Sequence, residues 1–212
     1  DGRCPYKGLD VFEEEDAGLF FGREKLVADL VGRVKDSRTL FITGPSGSGK
    51  SSLARAGLIH ALRQGAIKGS ERWLYATMKP GRDPIGELGR ATASLAGTTN
   101  AEDEIREKSM KDASIFARWC EIALKEGREK RFVLFIDQFE EVFTQINRED
   151  ERVAFLNLLP HTAEAAGGRV SILFATSPRP AAQPGSGCGL LPGGVLPRGA
   201  PADTPAAGPP RR

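Results

Sequence analysis

Nine residues, Gly44-Pro45-Ser46-Gly47-Ser48-Gly49-Lys50-Ser51-Ser52, constrain this chain more than any other stretch. They follow the apolar run Thr39-Leu40-Phe41-Ile42-Thr43 and precede a helix-like segment from Leu53 to Arg63. A Gly, four residues and then Gly-Lys-Ser, set between a strand and a helix, is the pattern of a phosphate-binding P-loop. Its glycines let the backbone curl so that successive N–H groups face phosphate oxygens, and the helix N-terminus behind them adds partial positive charge. In such a loop Lys50 reaches the β- and γ-phosphates and the Ser51 hydroxyl ligates Mg²⁺. The pattern predicts binding of a nucleoside triphosphate, with the nine loop residues as its contacts.

A second cluster supplies the metal chemistry that the loop lacks. The run Phe132-Val133-Leu134-Phe135-Ile136 ends in Asp137, and Glu140 and Glu141 follow within four residues. In P-loop enzymes a carboxylate at such a strand end holds Mg²⁺, usually through its water shell, which predicts a metal role for Asp137. A nearby acid can orient the water that attacks the γ-phosphate. Glu140 and Glu141 both qualify, and spacing does not choose between them. The competing structural role is helix capping by Asp137, with the glutamates favouring the first helical turn.

Periodicity places these motifs in an alternating α/β order. Glu24 to Val34 sets Leu26, Val27, Leu30, Val31 and Val34 on one helical face. Residues 39–43 predict a buried first strand, and the helix after the P-loop ends near Gly65, a suitable C-cap. A second strand is expected over Arg72 to Met78, then a turn at Pro80–Pro84 and a helix to about Leu95. Gly97 to Met110 is polar and reads as a loop. Ser114 to Lys125 is amphipathic, with Ile115, Trp119 and Ile122 sharing a face. Phe132 to Ile136 reads as a central strand, Asp150 to Ala163 as a helix and Val170 to Ala175 as a fourth strand. The order predicts a three-layer P-loop NTPase core with a parallel sheet, truncated after its fourth core strand. Three segments follow: residues 1–38 as lead-in and first helix, 39–177 as the core, and 178–212 as a tail. His60, His161, Trp73 and Trp119 read as packing or surface residues.

The tail stands apart in composition, with nine Pro, seven Gly and six Ala among residues 178–212. Such a stretch buries too little apolar surface to offset its ordering entropy, which predicts disorder. It also distorts the charge balance. The whole chain carries 30 basic and 28 acidic residues, but without the tail there are 26 and 27. The folded part is therefore not basic, and nucleic-acid binding is not indicated by charge. No apolar run reaches the roughly 18 residues of a spanning helix, so no membrane partner is expected. Cys4, Cys120 and Cys188 are odd in number and lack metal-ligand spacing, which predicts reduced thiols and a cytoplasmic setting. The absence of an initiator Met and of a signal-like leader predicts a cytoplasmic fragment.

Taken together, the motifs carry a family resemblance. Cys4-Pro5-Tyr6-Lys7-Gly8-Leu9, Phe12-Glu13-Glu14-Glu15-Asp16 and Phe20-Phe21-Gly22-Arg23-Glu24 resemble the opening of bacterial STAND-type NTPases, signalling ATPases related to the NACHT and AAA+ groups. The P-loop, Lys79-Pro80-Gly81-Arg82-Asp83-Pro84 and Asp137-Gln138-Phe139-Glu140-Glu141 look like the same family's motifs, over roughly residues 4–176. The resemblance implies ATP and Mg²⁺ as cofactors, and Gly22 and Arg23 as nucleotide contacts. It also implies a switch fused to effector and sensor domains, often a β-propeller, in which ATP binding and hydrolysis set an oligomerisation or signalling state. ATP over GTP rests on this resemblance alone, since no Asn-Lys-x-Asp guanine-reading pattern is present. The chain departs from the family at Ser177-Pro178-Arg179-Pro180, where a further sensor segment and strand are expected, and this predicts a lost reading frame near residue 177.

Overall fold

The computed structural model describes residues 8, 10–96, 100–124, 131–165 and 167–178. The tail expected to be disordered therefore lies outside the described residues beyond Pro178, as do Cys4, Arg179 and Cys188.

Four parallel strands, β1 (Thr39–Thr43), β2 (Leu74–Met78), β3 (Phe132–Ile136) and β4 (Val170–Thr176), form one sheet in the order β1-β4-β3-β2. Registers such as Leu40↔Leu173, Leu134↔Ile172 and Ala76↔Leu134 align the strand ends. All four chain exits therefore lie along one rim, the side on which open α/β sheets bind ligands. The expected parallel α/β architecture is what the structure contains.

Helices cover both faces. The first, α1 (Glu24–Asp36), carries an acid in its first turn and Arg33 and Lys35 in its last, complementing the helix dipole. The P-loop helix α2 covers residues 50–63. Its middle, Leu53–Ile59, is π-helical, flanked by α turns at Lys50–Ser52 and His60–Arg63. Gly57 lies in this wide stretch because α1 comes close there: a Cβ on Gly57 would sit 2.7 Å from Val27 Cγ2. Helices α3 (Pro84–Ala96), α4 (Asn100–Lys108), α5 (Ile115–Ala123), α6 (Glu141–Thr144) and α7 (Glu149–Ala165) follow. Pro84 opens α3, where its missing N–H is harmless, and Asp83 Oδ1 caps the Gly86 N–H at 3.0 Å.

Alternation along β3 divides the core. Phe132, Leu134 and Ile136 face one apolar cluster with Leu88, Phe116, Phe155 and Leu158. Val133 and Phe135 face the other, with Leu30, Val34, Leu58 and Leu62. Every residue of β3 is buried, as the apolar run predicts for a central strand. Trp73 and Trp119 lie in the core, as expected.

Three expectations need correction. First, β1 is not buried on both faces: Leu40 and Ile42 point inward while Thr39, Phe41 and Thr43 are exposed. It is an edge strand among the described residues, and Phe41 is covered only by stacking on Phe174 at 4.5 Å. Second, the polar stretch read as a loop contains α4. Hydrophobic patterning missed it because Ile105 is the one fully buried apolar side chain among those described in it, while Gly89 lets its backbone approach α3 closely. Arg90–Glu102 at 2.9 Å and Arg106–Asp83 at 2.6 Å tie its charged face down. Third, Leu26 and Ile122 lie on the expected apolar faces yet are exposed.

Candidate functional site

The P-loop turns where its sequence predicts. Gly47 and Gly49 take φ values of 77° and 82°, a left-handed conformation that favours glycine. Gly49 leads into α2, and its carbonyl accepts the Leu53 N–H at 2.8 Å. Gly44 packs so closely that a Cβ would lie 3.0 Å from Ser48 Oγ. Lys50 Nζ donates to the Gly44 and Pro45 carbonyls, each at 2.8 Å, and to Ser177 Oγ at 3.1 Å. Its ammonium is thus drawn across the mouth of the loop to the end of β4.

Asp137 continues β3 and meets the loop from across the sheet. Its Oδ1 accepts the Ser51 hydroxyl at 2.7 Å, linking residues 86 apart in sequence. The carboxylate is buried, and its Oδ1 also accepts the Gln138 N–H at 3.0 Å. Gln138 itself has φ 53°, the one positive φ among the described non-glycine residues. This left-handed turn directs the chain from β3 back toward β4, where the Phe139 N–H bonds the Ala175 carbonyl at 2.9 Å.

The two glutamates that spacing left equivalent are placed apart. Glu140 Oε2 accepts the Ser177 N–H at 3.1 Å, beside the P-loop. Glu141 Oε2 accepts the Gly81 N–H at 3.1 Å, in the turn after β2. Partial burial works to raise the Glu140 pKa, but hydrogen bonds from its own N–H and from Ser177 outweigh it and hold the carboxyl below the usual range.

A cleft of about 460 Å³ opens above the rim, within the size range of small-molecule sites. Its lining brings together Arg23, Ser46, Gly47, Gly49, Lys50, Ser51, Ser52, Asp137 and Glu140. Gly44, Pro45 and Ser48 line a neighbouring cleft between α1 and β1, shared with Arg23, Gly49 and Lys50. Gly22 lines neither; its φ of 81° makes the bend that delivers Arg23. Glu141 lies outside both clefts.

Motif reading missed several groups at this site. Phe12, Phe20, Gln138 and Ser177 line the cleft, and Arg55 on α2 pairs with Asp137 Oδ2 at 3.0 Å. Arg55 had one available signal, its position one helical turn after Ser51, which sets both on the same face.

The donor set suits Mg²⁺. Mg²⁺ takes hard oxygen ligands and usually keeps several waters, and Ser51 Oγ and the buried Asp137 carboxylate present two such oxygens within 2.7 Å of each other, both lining the cleft. Among the described residues no group of three or more His, Cys, Asp or Glu could form an all-protein cage.

Comparison with curated proteins gives no match. Among solved structures, the pCW3 conjugation coupling protein TcpA, determined as a monomer with ATPγS, matches with 20% identity and a TM-score of 0.32. The match covers 66% of this chain and 42% of that protein, so the chain spans less than half the length of that protein. No described helix is long and apolar enough to cross a membrane. Residues 5–177, which include the lead-in segment, the P-loop and Asp137, match the model of Novel STAND NTPase 1, and the chain belongs to that family of NTPases.

Proposed function

We propose that this chain is the nucleotide-binding part of a signalling switch that binds ATP with Mg²⁺ and hydrolyses it slowly. The 2.7 Å contact between Ser51 and Asp137, beside Lys50, carries the reading. It joins the P-loop hydroxyl to a buried carboxylate, two oxygen donors close enough to serve one Mg²⁺ directly or through its water shell. Bound there, Mg²⁺ supplies charge neutralisation on the phosphates. Lys50 exchanges its loop carbonyls for phosphate oxygens, and the loop N–H groups with the α2 N-terminus hold the phosphate chain. Arg23, together with Gly22 at its bend, contacts the nucleotide from the lead-in side. Glu140 is the residue that orients the attacking water, because it lines the cleft and Glu141 does not. Glu141 secures the turn at Gly81 and has no direct part in the chemistry.

Fluorescence anisotropy of labelled ATP, paired with phosphate release, tests this. Lys50→Ala should weaken binding about 10- to 100-fold, the scale of a lost charged hydrogen bond or two. Glu140→Gln should keep binding and slow release about 10²- to 10⁴-fold, whereas Glu141→Gln should leave release near wild type. A chain that binds no nucleotide refutes the reading. Binding without release identifies a catalytically incomplete remnant instead, a reading favoured by Ser177-Pro178 following β4 where the family resemblance implies a further sensor segment.

A further inference from the structure

Arg55 is held between two carboxylates from distant parts of the chain. Its Nη1 donates to Glu13 Oε1 and Oε2 at 2.7 and 2.9 Å, while Nη2 donates to Asp137 Oδ2 at 3.0 Å. Asp137 is 1% exposed and Arg55 17%, so the pair is shielded, whereas Glu13 is 46% exposed. Burial opposes the Arg55 charge, but hydrogen bonds and attraction from Glu13, with further attraction from Asp137, outweigh it. The Arg55 Nε is nonetheless buried without a hydrogen-bond partner. Leaving such a donor unsatisfied is costly, and a residue serving only packing would not need a guanidinium there.

Glu13 belongs to the lead-in segment, which is fastened along α2 at further points. The Phe12 N–H bonds Ser52 Oγ at 3.1 Å, and Glu14 pairs with Arg63 at 2.7 Å. Phe20 packs against Gly57, where an added Cβ would lie 3.3 Å from its ring. Phe12 and Phe20 also line the nucleotide cleft. One side of the segment thus touches the cleft, and its Glu13 touches the partner of Asp137.

We propose that Arg55 is a positioning residue for Asp137 and that Glu13 makes its action depend on docking of the lead-in segment. The inference rests on the reading of Asp137 and Ser51 as the Mg²⁺ position. Arg55 fixes Oδ2 and so directs Oδ1 toward Ser51. An uncompensated guanidinium this close would repel a divalent cation, and Glu13 neutralises it. When the segment lifts away, Glu13 leaves, the positive charge beside Asp137 is unmasked, and Mg²⁺–nucleotide binding weakens. Reciprocity then requires Mg²⁺–nucleotide to hold the segment down by the same factor. Docking of the segment is thereby a route by which nucleotide state is read.

The test uses the full 212-residue chain, a fluorescent ATP analogue in Mg²⁺ or in EDTA, and hydrogen exchange over residues 11–20. Glu13→Gln changes an exposed group and is the principal variant; Arg55→Lys keeps the charge but loses the fork. In Mg²⁺ the Glu13→Gln variant should lose about fivefold or more in affinity, with little change in EDTA. Mg²⁺–nucleotide should protect residues 11–20 in the wild type and protect them less in both variants. Equal Mg²⁺ dependence in wild type and Glu13→Gln, with equal protection, overturns the coupling alone. A wild type that binds equally in Mg²⁺ and EDTA overturns the metal reading of Asp137, and the coupling with it.

Discussion

Gly57→Ala sets two effects of known size against each other. Replacing Gly by Ala inside a helix normally stabilises it by about 1 kcal/mol. Here the new methyl would sit 2.7 Å from Val27 Cγ2 and 3.3 Å from Phe20 Cε1, while carbon–carbon contacts prefer about 3.5–4.0 Å. Valine in a helix has essentially one rotamer, so Val27 cannot swing aside and α1 must retreat by roughly an ångström. Overpacking of this kind costs about 1–3 kcal/mol. The clash therefore wins by about 1 kcal/mol, which lowers the urea midpoint by about 0.5 M for a slope near 2 kcal/mol/M. The cause is identified by the double variant. Adding Val27→Ala removes the colliding methyl, so the pair should be more stable than the sum of the single changes by about 1 kcal/mol or more. Retreat of α1 also displaces Phe20 from the cleft, so the single variant should bind nucleotide more weakly. A Gly57→Ala protein that gains about 1 kcal/mol, additive with Val27→Ala within about 0.5 kcal/mol, would refute the close-approach argument.

Glu140 has a depressed folded pKa, so its contribution to stability is complete above the ordinary glutamate value of about 4.3 and is lost as pH falls through the folded value. Urea midpoints of wild type and Glu140→Gln should differ at pH 7 and converge below about pH 4.3; a gap independent of pH contradicts the hydrogen bonds to Ser177 and to its own backbone. At Gln138, a left-handed side-chain residue costs about 1 kcal/mol relative to glycine, so Gln138→Gly should raise the midpoint and Gln138→Val lower it. Equal stability in the three would show that the turn is not strained.

Much of the fold was legible because its signals are local. A five-residue apolar run with charges at its ends has few homes other than a central strand, and β3 is buried throughout. The P-loop was legible for the same reason, since its glycines meet a backbone requirement that sequence states directly. The misread parts depend on what lies across a gap. Nothing in Thr39–Thr43 says that the helices on one face stop short of β1 and leave Phe41 exposed. Helix α4 is specified by Gly89 and by ion pairs to α3, so its own pattern is nearly silent. The glutamates differ only in which loop reaches them, Ser177 for Glu140 and Gly81 for Glu141. Arg55 escaped notice because a basic residue on a helix is ordinary until its partners are known.

The sheet order has a mechanical consequence for the two halves of the site. Asp137 ends a strand paired on both sides and packed on both faces, whereas the P-loop ends one that, among the described residues, is paired on one side only. The carboxylate is accordingly a fixed post and the loop a hinged arm. Motion that accompanies nucleotide binding should be sought in β1, α1 and the loop, measured against β3 as the stationary frame.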